Sequence, residues 1–189
     1  TKIDLGVGVY KDATVLTPLR RAVKAAEKKL WEVETTKTYT GLAGEPAYNA
    51  AMVGMILGAG FADRAASVAT PGGTGAIRQA LELIRMSNPK AKVWLSAPTW
   101  PNHPSIIKYL QMPMAEYRYF DVATSGIDFA GLLADLEGVA AGDAVLLHGC
   151  CHNPTGANLD AGQWDQVIAL LQRKGAVPFV DLAYQGFGD

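Results

Sequence analysis

The chain has few cysteines and little net charge, and it contains no long apolar run. Its two cysteines, Cys150 and Cys151, are adjacent, so they cannot form the disulfide framework that stabilises small secreted proteins. This favours a reducing, cytoplasmic setting. The net charge of −1 provides no general attraction for nucleic acid or for an anionic membrane. No stretch approaches the roughly 18 apolar residues that a membrane helix needs, and the first residues do not resemble a signal peptide.

The composition is that of a globular protein. Of the 189 residues, 49% are hydrophobic and 19% are charged, which is enough apolar material for one sizeable core. The chain begins at Thr1 rather than at a methionine, and it stops shortly after an apolar segment that predicts a core strand. We therefore expect it to be part of a longer protein.

Apolar runs and helical periodicity alternate along most of the chain. We predict an extended arm or short strand over residues 3–10 and a turn over residues 12–16. Thr17 is the expected N-cap of the first helix, with Pro18 at its first position. Further predicted helices cover residues 45–57, 76–86, 104–110, 129–136 and 161–174, and predicted strands cover residues 66–69, 92–96, 114–120, 144–147 and 177–181. Such alternation is typical of an α/β fold with a mostly parallel sheet and helices on both faces.

Four loops follow predicted strands, and they contain most of the unusual polar residues of the chain. They cover residues 71–75, 97–103, 148–156 and 181–187. Ligands of open α/β sheets bind beyond the carboxyl ends of the strands. The placement of these residues therefore predicts one binding site at that edge of the sheet.

The first loop, Pro-Gly-Gly-Thr-Gly at residues 71–75, is suited to an anion. Small residues before a helix expose backbone N–H groups, and Thr74 adds a hydroxyl donor. The loop lacks the Gly-Lys-Ser/Thr of a Walker motif and the Gly-x-Gly-x-x-Gly spacing of dinucleotide sites. A single phosphate is the best ligand for it, and a simple tight turn is the alternative.

The other loops contribute an aromatic ring, an amide and a carboxylate. Trp100 stands in a Pro-rich loop, where it either packs into the core or covers a flat ligand. Asp181 ends an apolar strand, and a carboxylate at that depth needs a cation or a strong donor. Tyr184 follows three residues later. Asn153 stands directly before Pro154, where it either helps to form a turn or donates its side-chain amide to a ligand.

The segment at residues 148–156 also raises the possibility of a metal site. It contains His148, His152 and both cysteines, but the spacing matches no zinc motif, and we predict no metal. A phosphate cradle, an aromatic cover, polar donors and a buried carboxylate together suit a flat, phosphorylated pyridine. Pyridoxal phosphate is such a ligand, and its electronic properties depend on the partner of its ring nitrogen.

Six segments resemble the aspartate/aromatic aminotransferase family of fold-type I, class I enzymes. They are Gly-Val-Gly-Val-Tyr-Lys-Asp at 6–12, Glu-Thr-Thr-Lys at 34–37, Gly-Gly-Thr-Gly at 72–75, Trp-Pro-Asn-His at 100–103, the segment 148–156, and Asp-Leu-Ala-Tyr-Gln-Gly-Phe at 181–187. The resemblance covers essentially the whole chain in order. It implies an N-terminal arm over residues 1–16, and over residues 17–189 the first part of a large cofactor-binding domain.

The resemblance also implies a role for each site residue. Gly73 and Thr74 would hold the cofactor phosphate, and Tyr39 would reach the phosphate in the partner subunit of a homodimer. Trp100 and Ala183 would lie on the two faces of the ring. Asp181 would pair with the ring nitrogen, supported by His103 and His148, while Asn153 and Tyr184 would bind the phenolic oxygen. Gly8 would lie over the substrate carboxylate. The substrates would be an amino acid, aromatic or aspartate, and a 2-oxo acid.

The chain departs from the family in one important respect. The family's Schiff-base lysine stands in a Ser-x-Ser-Lys type motif downstream of the Tyr-Gln-Gly-Phe segment, and no lysine here has that context. The arginines that bind substrate carboxylates in the family are also absent. We therefore expect the 189 residues alone to be inactive, and a non-catalytic fragment or pseudo-enzyme is the alternative. A generic nucleotide-binding domain is a third possibility. A smaller departure is Val15, where the family usually has a turn glycine.

Overall fold

The computed structural model describes residue 6 and residues 8–188. The chain forms two compact units, Thr1–Leu42 and Ala43–Asp189, which we describe separately. Most of the predicted arm over residues 3–10 lies outside the described residues, and residues 8–10 have no regular secondary structure. The predicted division of domains at residue 16 stays a prediction.

In the first unit, the turn at residues 12–16 is confirmed. The Asp12 carboxylate accepts hydrogen bonds from the backbone N–H and hydroxyl of Thr14, and the Leu16 carbonyl accepts from the Asp12 N–H. Val15 has a φ of 63°, in the left-handed region that favours glycine. Val15, noted in the sequence as unusual, therefore occupies a position whose backbone conformation favours glycine.

Helix α1 (Arg21–Val33) starts later than predicted. Thr17 does not cap it, and Pro18 is not its first residue. Arg20 is extended, without a side-chain cap, and its guanidinium lies 4.4 Å from the centre of the Tyr10 ring. This cation–π contact accompanies the extended conformation of Arg20, and the helix begins only at the next residue.

The second unit begins with helix α2 (Pro46–Leu57), as predicted, followed by a 3-10 helix (Ala59–Arg64) that was not predicted. The predicted strand at residues 66–69 is wrong. The Ala69 N–H donates to the Ala43 carbonyl, and the Asn49 side chain donates to the Ser67 carbonyl. These bonds tie the segment to the α2 region, so it joins no sheet.

A parallel sheet forms the centre of the second unit. Among the described residues its strands are β1 (Val93–Ala97), β2 (Met114–Arg118), β5 (Ala144–His148) and β6 (Val177–Asp181), in the order β2-β1-β5-β6. Strands β3 (Phe120–Asp121) and β4 (Gly126–Ile127) form a separate antiparallel pair. The predicted strand over residues 114–120 is thus divided, because the Arg118 N–H donates to the Asp135 carboxylate and Phe120 pairs with Ile127.

Helices cover both faces of the sheet, which confirms the predicted fold class. They are α3 (Gly72–Ser87), α4 (Asn102–Tyr109), α5 (Phe129–Leu136) and α6 (Ala161–Lys174). Alternate strand residues enter two separate cores, as the two-residue period of a strand requires. Val93, Leu95 and Leu146 pack with α3 and α4. Trp94, Val145 and Leu147 pack with α5 and α6.

Two helices begin earlier than predicted, and both differences affect the site. Helix α3 starts at Gly72, so the glycine-rich loop is its first turn rather than a separate turn. Helix α4 starts at Asn102, which places His103 on a helix rather than in a loop. In the part of the chain that the structure describes, no helix has the length and apolar character required to span a bilayer.

Candidate functional site

A cavity of about 110 Å³ opens where the loops leave the carboxyl ends of β1, β5 and β6. Parallel pairing brings these ends together, and it aligns His148 of β5 with Asp181 of β6. The residues that line the cavity are Gly73, Ile77, Trp100, His148, Cys150, Asn153, Asp181, Ala183 and Tyr184. Six predicted cofactor-binding residues therefore line a single cavity.

The amino end of helix α3 contributes Gly73 to the cavity wall. A Cβ atom built on Gly73 meets no atom within 4 Å, so open space lies beside the first turn of the helix. Unsatisfied backbone N–H groups and the helix dipole make such a position attractive to an anion. Thr74, the next residue, is exposed and does not line the cavity.

Trp100 and Ala183 both line the cavity, from the loops that follow β1 and β6. The His103 ring lies edge-on to the Trp100 ring, with 5.3 Å between centroids and 88° between planes. The His103 N–H also donates to the Trp100 carbonyl over 2.9 Å. The indole is thus held against the start of helix α4, on the wall of the cavity.

A chain of hydrogen bonds connects Asp181, through the buried His103 and Thr99, to His148 on the same cavity wall. The His103 Nε2 atom lies 3.0 Å from Asp181 Oδ2, and the fully buried His103 ring has its Nδ1 atom 2.8 Å from the Thr99 hydroxyl. The same hydroxyl lies 3.1 Å from His148 Nε2. The Asn153 backbone N–H donates to His148 Nδ1 over 3.4 Å. Asp181 therefore contacts His103 directly, and His148 one hydroxyl further away.

The donors fix the direction of this chain. Burial, and then the neighbouring His103, lower the pKa of His148 to about 4, with a smaller opposing effect from Asp181. His148 is therefore neutral near pH 7, accepts from the Asn153 N–H at Nδ1, and donates from Nε2 to the Thr99 hydroxyl. Thr99 in turn donates to His103 Nδ1, which leaves the His103 Nε2–H to donate to Asp181. Every proton points towards the carboxylate.

Asp181 combines one internal partner with access to the cavity. Its side chain is 20% exposed, and among the described residues no donor contacts its Oδ1 atom. A carboxylate that accepts a single hydrogen bond keeps its capacity to bind a positively charged N–H. The Asp181 position can therefore accept a cationic ring nitrogen from a ligand in the cavity.

The backbone approaches closely beside the site. A Cβ atom on Gly149 would lie 2.8 Å from Leu182 Cδ1, and the Gly149 N–H donates to the Asp181 carbonyl. The hydrogen bond from Gly149 to Asp181 holds the starts of the loops after β5 and β6 side by side. This brings Asn153 and Tyr184 to the same cavity.

The histidines and cysteines of the segment 148–156 serve packing and hydrogen bonding. Within the described ranges, no group of three or more His, Cys, Asp or Glu side chains is arranged to bind a metal ion. Cys150 lines the cavity, and Cys150 and Cys151 form no disulfide. Both ring nitrogens of His152 and the Nε2 atom of His148 contact hydroxyl groups, and His148 Nδ1 accepts from the Asn153 backbone N–H.

Two predicted site residues lie in the first unit. Gly8 is exposed, and Tyr39 is fully exposed in the loop after α1. Thr99 and Ser96 were not predicted as site residues. Thr99 stands between Pro98 and Trp100, in a loop already expected to form the site, and this position was the only signal available for it.

The chain matches known proteins over its full length. The family model "Aminotransferase class I and II" matches residues 1–189. An aromatic-amino-acid aminotransferase of Paracoccus denitrificans is 60% identical over 189 residues, which are 100% of this chain and 48% of that protein. An aspartate aminotransferase of Escherichia coli K12 is 44% identical over 190 residues, covering 98% of this chain and 48% of that protein. The chain thus spans about half the length of the curated relatives it matches.

Solved structures agree with these matches. An aromatic amino acid aminotransferase with 3-indolebutyric acid superposes with a TM-score of 0.95 at 60% identity, covering 100% of this chain and 48% of that one. An aromatic-amino-acid aminotransferase from Burkholderia pseudomallei, covalently bound to pyridoxal phosphate, superposes with a TM-score of 0.93 at 41% identity. That comparison covers 98% of this chain and 47% of the other.

Proposed function

Because the chain belongs to the class I and II aminotransferase family, we propose that the protein at its full natural length transfers the amino group of an amino acid to a 2-oxo acid by means of pyridoxal phosphate. The donor is an aromatic amino acid or aspartate, the two substrates named for its relatives. The observation that carries the proposal is Asp181, which is hydrogen-bonded to the buried His103 and lines the same cavity as Gly73 and Trp100.

The residues present fit the cofactor. The open space at Gly73, at the start of helix α3, suits a phosphate dianion. Trp100 and Ala183 suit the two faces of an aromatic ring, and Asp181 suits a protonated ring nitrogen. When bound, the cofactor supplies a cationic ring that accepts the electron pair left behind when the Cα–H bond of the substrate breaks.

Four residues that line the cavity, together with the buried His103, each have a definite task. Asp181 keeps the proton on the ring nitrogen, and His103 holds the carboxylate in place. Trp100 keeps the ring flat against the cavity wall and excludes water from one face. Asn153 and Tyr184 donate to the phenolic oxygen, which leaves that oxygen an acceptor.

The remaining tasks involve Thr74, two residues of the first unit, and groups beyond this chain. Thr74 assists Gly73 at the phosphate, Gly8 covers the substrate carboxylate, and Tyr39 reaches the phosphate bound by the partner of a homodimer. The lysine that acts as base and covalent partner, and the arginines that bind substrate carboxylates, are proposed to lie beyond the 189 residues. In the proposal the 189 residues alone are inactive, and the whole enzyme is cytoplasmic.

Amino transfer by the full-length protein tests the proposal. With pyridoxal phosphate bound and 2-oxoglutarate as acceptor, we expect turnover with phenylalanine or tyrosine. The kcat/KM for aspartate is measured in the same way and compared with theirs. The 60% identity to an aromatic-amino-acid aminotransferase, against 44% to an aspartate aminotransferase, favours the aromatic donors. Formation of the oxo acid from the donor is the measurement. No transfer from either class of donor at saturating cofactor would contradict the proposal.

A further inference from the structure

The buried residue His152 lies behind the cavity rather than on its wall. It is 2% exposed and does not line the cavity. The Tyr119 ring stacks on it, with 3.9 Å between centroids and 13° between planes. The His148 ring lies 4.2 Å from it at an angle of 40°. Since His148 belongs to the chain of hydrogen bonds that ends at Asp181, His152 is in contact with that chain.

Both ring nitrogens of His152 are occupied. Ser96 donates its hydroxyl proton to the Pro98 carbonyl over 2.9 Å, so its oxygen accepts from His152 Nε2 at 2.9 Å. The other nitrogen, Nδ1, accepts from the Thr155 hydroxyl at 2.8 Å, and the Ala157 N–H donates to that hydroxyl in turn. All donors and acceptors of this second chain agree with one tautomer, in which the proton is on Nε2.

The second chain joins two loops that carry site residues. Ser96 and Pro98 belong to the end of β1 and the loop that continues to Trp100. Thr155 belongs to the loop that follows β5 and carries Asn153. The imidazole of His152 is therefore a bridge between the loop with the aromatic wall and the loop with the amide.

The bridge requires a neutral ring. A protonated Nδ1 cannot accept from the Thr155 hydroxyl. Burial, followed by the proximity of His148 and then His103, lowers the pKa of His152 to about 3. The ring is thus neutral, and the bridge intact, at pH 7 and well into the acidic range.

We propose that His152 is a positioning residue, which holds these two loops at a fixed separation and fixes the ring of His148. Its effect on the cofactor rests on the proposed function, while its effect on His148 does not. If the His148 ring turns, Thr99 loses the Nε2–H that donates to it, and the direction of the hydrogen bonds towards Asp181 is no longer fixed. The cavity also loses the constraint that places Asn153 relative to Trp100.

The test compares two substitutions of His152 in the full-length protein with one control. His152→Phe keeps an aromatic ring between Tyr119 and His148 but removes both hydrogen bonds. His152→Gln restores a donor for Ser96. The control is Trp94→Phe, which removes a buried hydrogen bond to Asp143 at the start of the sheet, far from the carboxyl ends of the strands. Thermal stability, the Kd for pyridoxal phosphate and the pH dependence of the bound cofactor's absorbance are measured for each.

We expect His152→Phe to raise the Kd about tenfold, equivalent to 1.4 kcal/mol, and to shift the pH at which the absorbance changes. His152→Gln should recover part of both effects. Trp94→Phe should lower the melting temperature and leave the Kd and the absorbance unchanged. If His152→Phe acts like Trp94→Phe, His152 has only a structural role and the proposal is wrong.

A second readout needs no cofactor. Nitrogen-15 NMR of the histidine rings, with the His148 signals assigned from their loss in His148→Asn, reports the tautomer of His148 in the cofactor-free protein. We expect a single Nε2–H tautomer in the wild type and a mixture of tautomers in His152→Phe. An unchanged His148 tautomer in His152→Phe would overturn the positioning role. If the wild type failed to bind pyridoxal phosphate, the proposed function would fail, and this readout would still decide the role of His152.

Discussion

Replacing Asp181 by alanine in the full-length protein is expected to lower kcat by about 1,000-fold or more while the fold stays intact. The side chain ends β6, contacts His103 and faces the cavity. Removing one partner of a largely desolvated charge pair costs roughly 3–5 kcal/mol, and about 4 kcal/mol corresponds to 1,000-fold in rate. The fold is spared because the side chain is partly exposed and accepts only one hydrogen bond among the described residues.

Two further variants make this prediction specific. Asp181→Asn keeps the shape but not the charge, and we expect a loss nearly as large as that of Asp181→Ala. Asp165→Ala removes a carboxylate from the exposed surface of helix α6 and should leave kcat unchanged. Steady-state kinetics at measured cofactor occupancy give the comparison. Near-wild-type turnover in Asp181→Ala with cofactor bound would be incompatible with the proposed role of the carboxylate.

Replacing Gly73 by aspartate is expected to weaken pyridoxal phosphate binding by about 100-fold or more without destabilising the protein. The added Cβ has open space, and a carboxylate in the first turn of helix α3 interacts favourably with the helix dipole. The same carboxylate would occupy the place proposed for the phosphate and repel it. At 4 Å and an effective dielectric constant near 20, two unit charges repel by roughly 4 kcal/mol, so a 100-fold loss is a moderate expectation.

Gly73→Asn is the matched control, since it has nearly the same volume and no charge. We expect it to weaken binding far less than Gly73→Asp, and the difference between the two variants measures the electrostatic part. Cofactor titration followed by absorbance gives both Kd values, and thermal melting shows that the fold is retained. Equal affinities for the two variants would place the phosphate away from Gly73.

The later elements of the fold were well predicted from sequence because their signals are strong. Helix α6 begins at a capping box, in which the Asp160 side chain accepts from the Gln163 N–H and the Gln163 side chain accepts from the Asp160 N–H. Helix α5 begins with the Asp128 carboxylate accepting from the Gly131 N–H. The observed bounds of both helices, and of β6, equal the predicted ones.

The predicted elements that are wrong or shifted have physical causes that a local sequence pattern does not contain. The segment 66–69 is mostly apolar, but its backbone hydrogen bonds go to Ala43 and to the Asn49 side chain, which are distant in sequence. Helix α3 begins at Gly72 although glycine disfavours helices, which local propensity does not predict. Helix α1 begins late, with Arg20 extended beside Tyr10.

The residues that form the site were predictable, but the hydrogen bonds among them were not. Asp181, Trp100, Asn153 and Tyr184 stood out because each is an unusual residue beside the end of a predicted strand. The role of Thr99 depends on the distance between two histidine rings, which only the folded chain defines.

The most direct test of the central claim is a crystal structure of the full-length protein with pyridoxal phosphate. We predict that the cofactor phosphate lies at the amino end of helix α3 beside Gly73, that the ring lies between Trp100 and Ala183, and that its nitrogen contacts Asp181. A cofactor bound elsewhere, or a ring nitrogen that faces away from Asp181, would contradict the account.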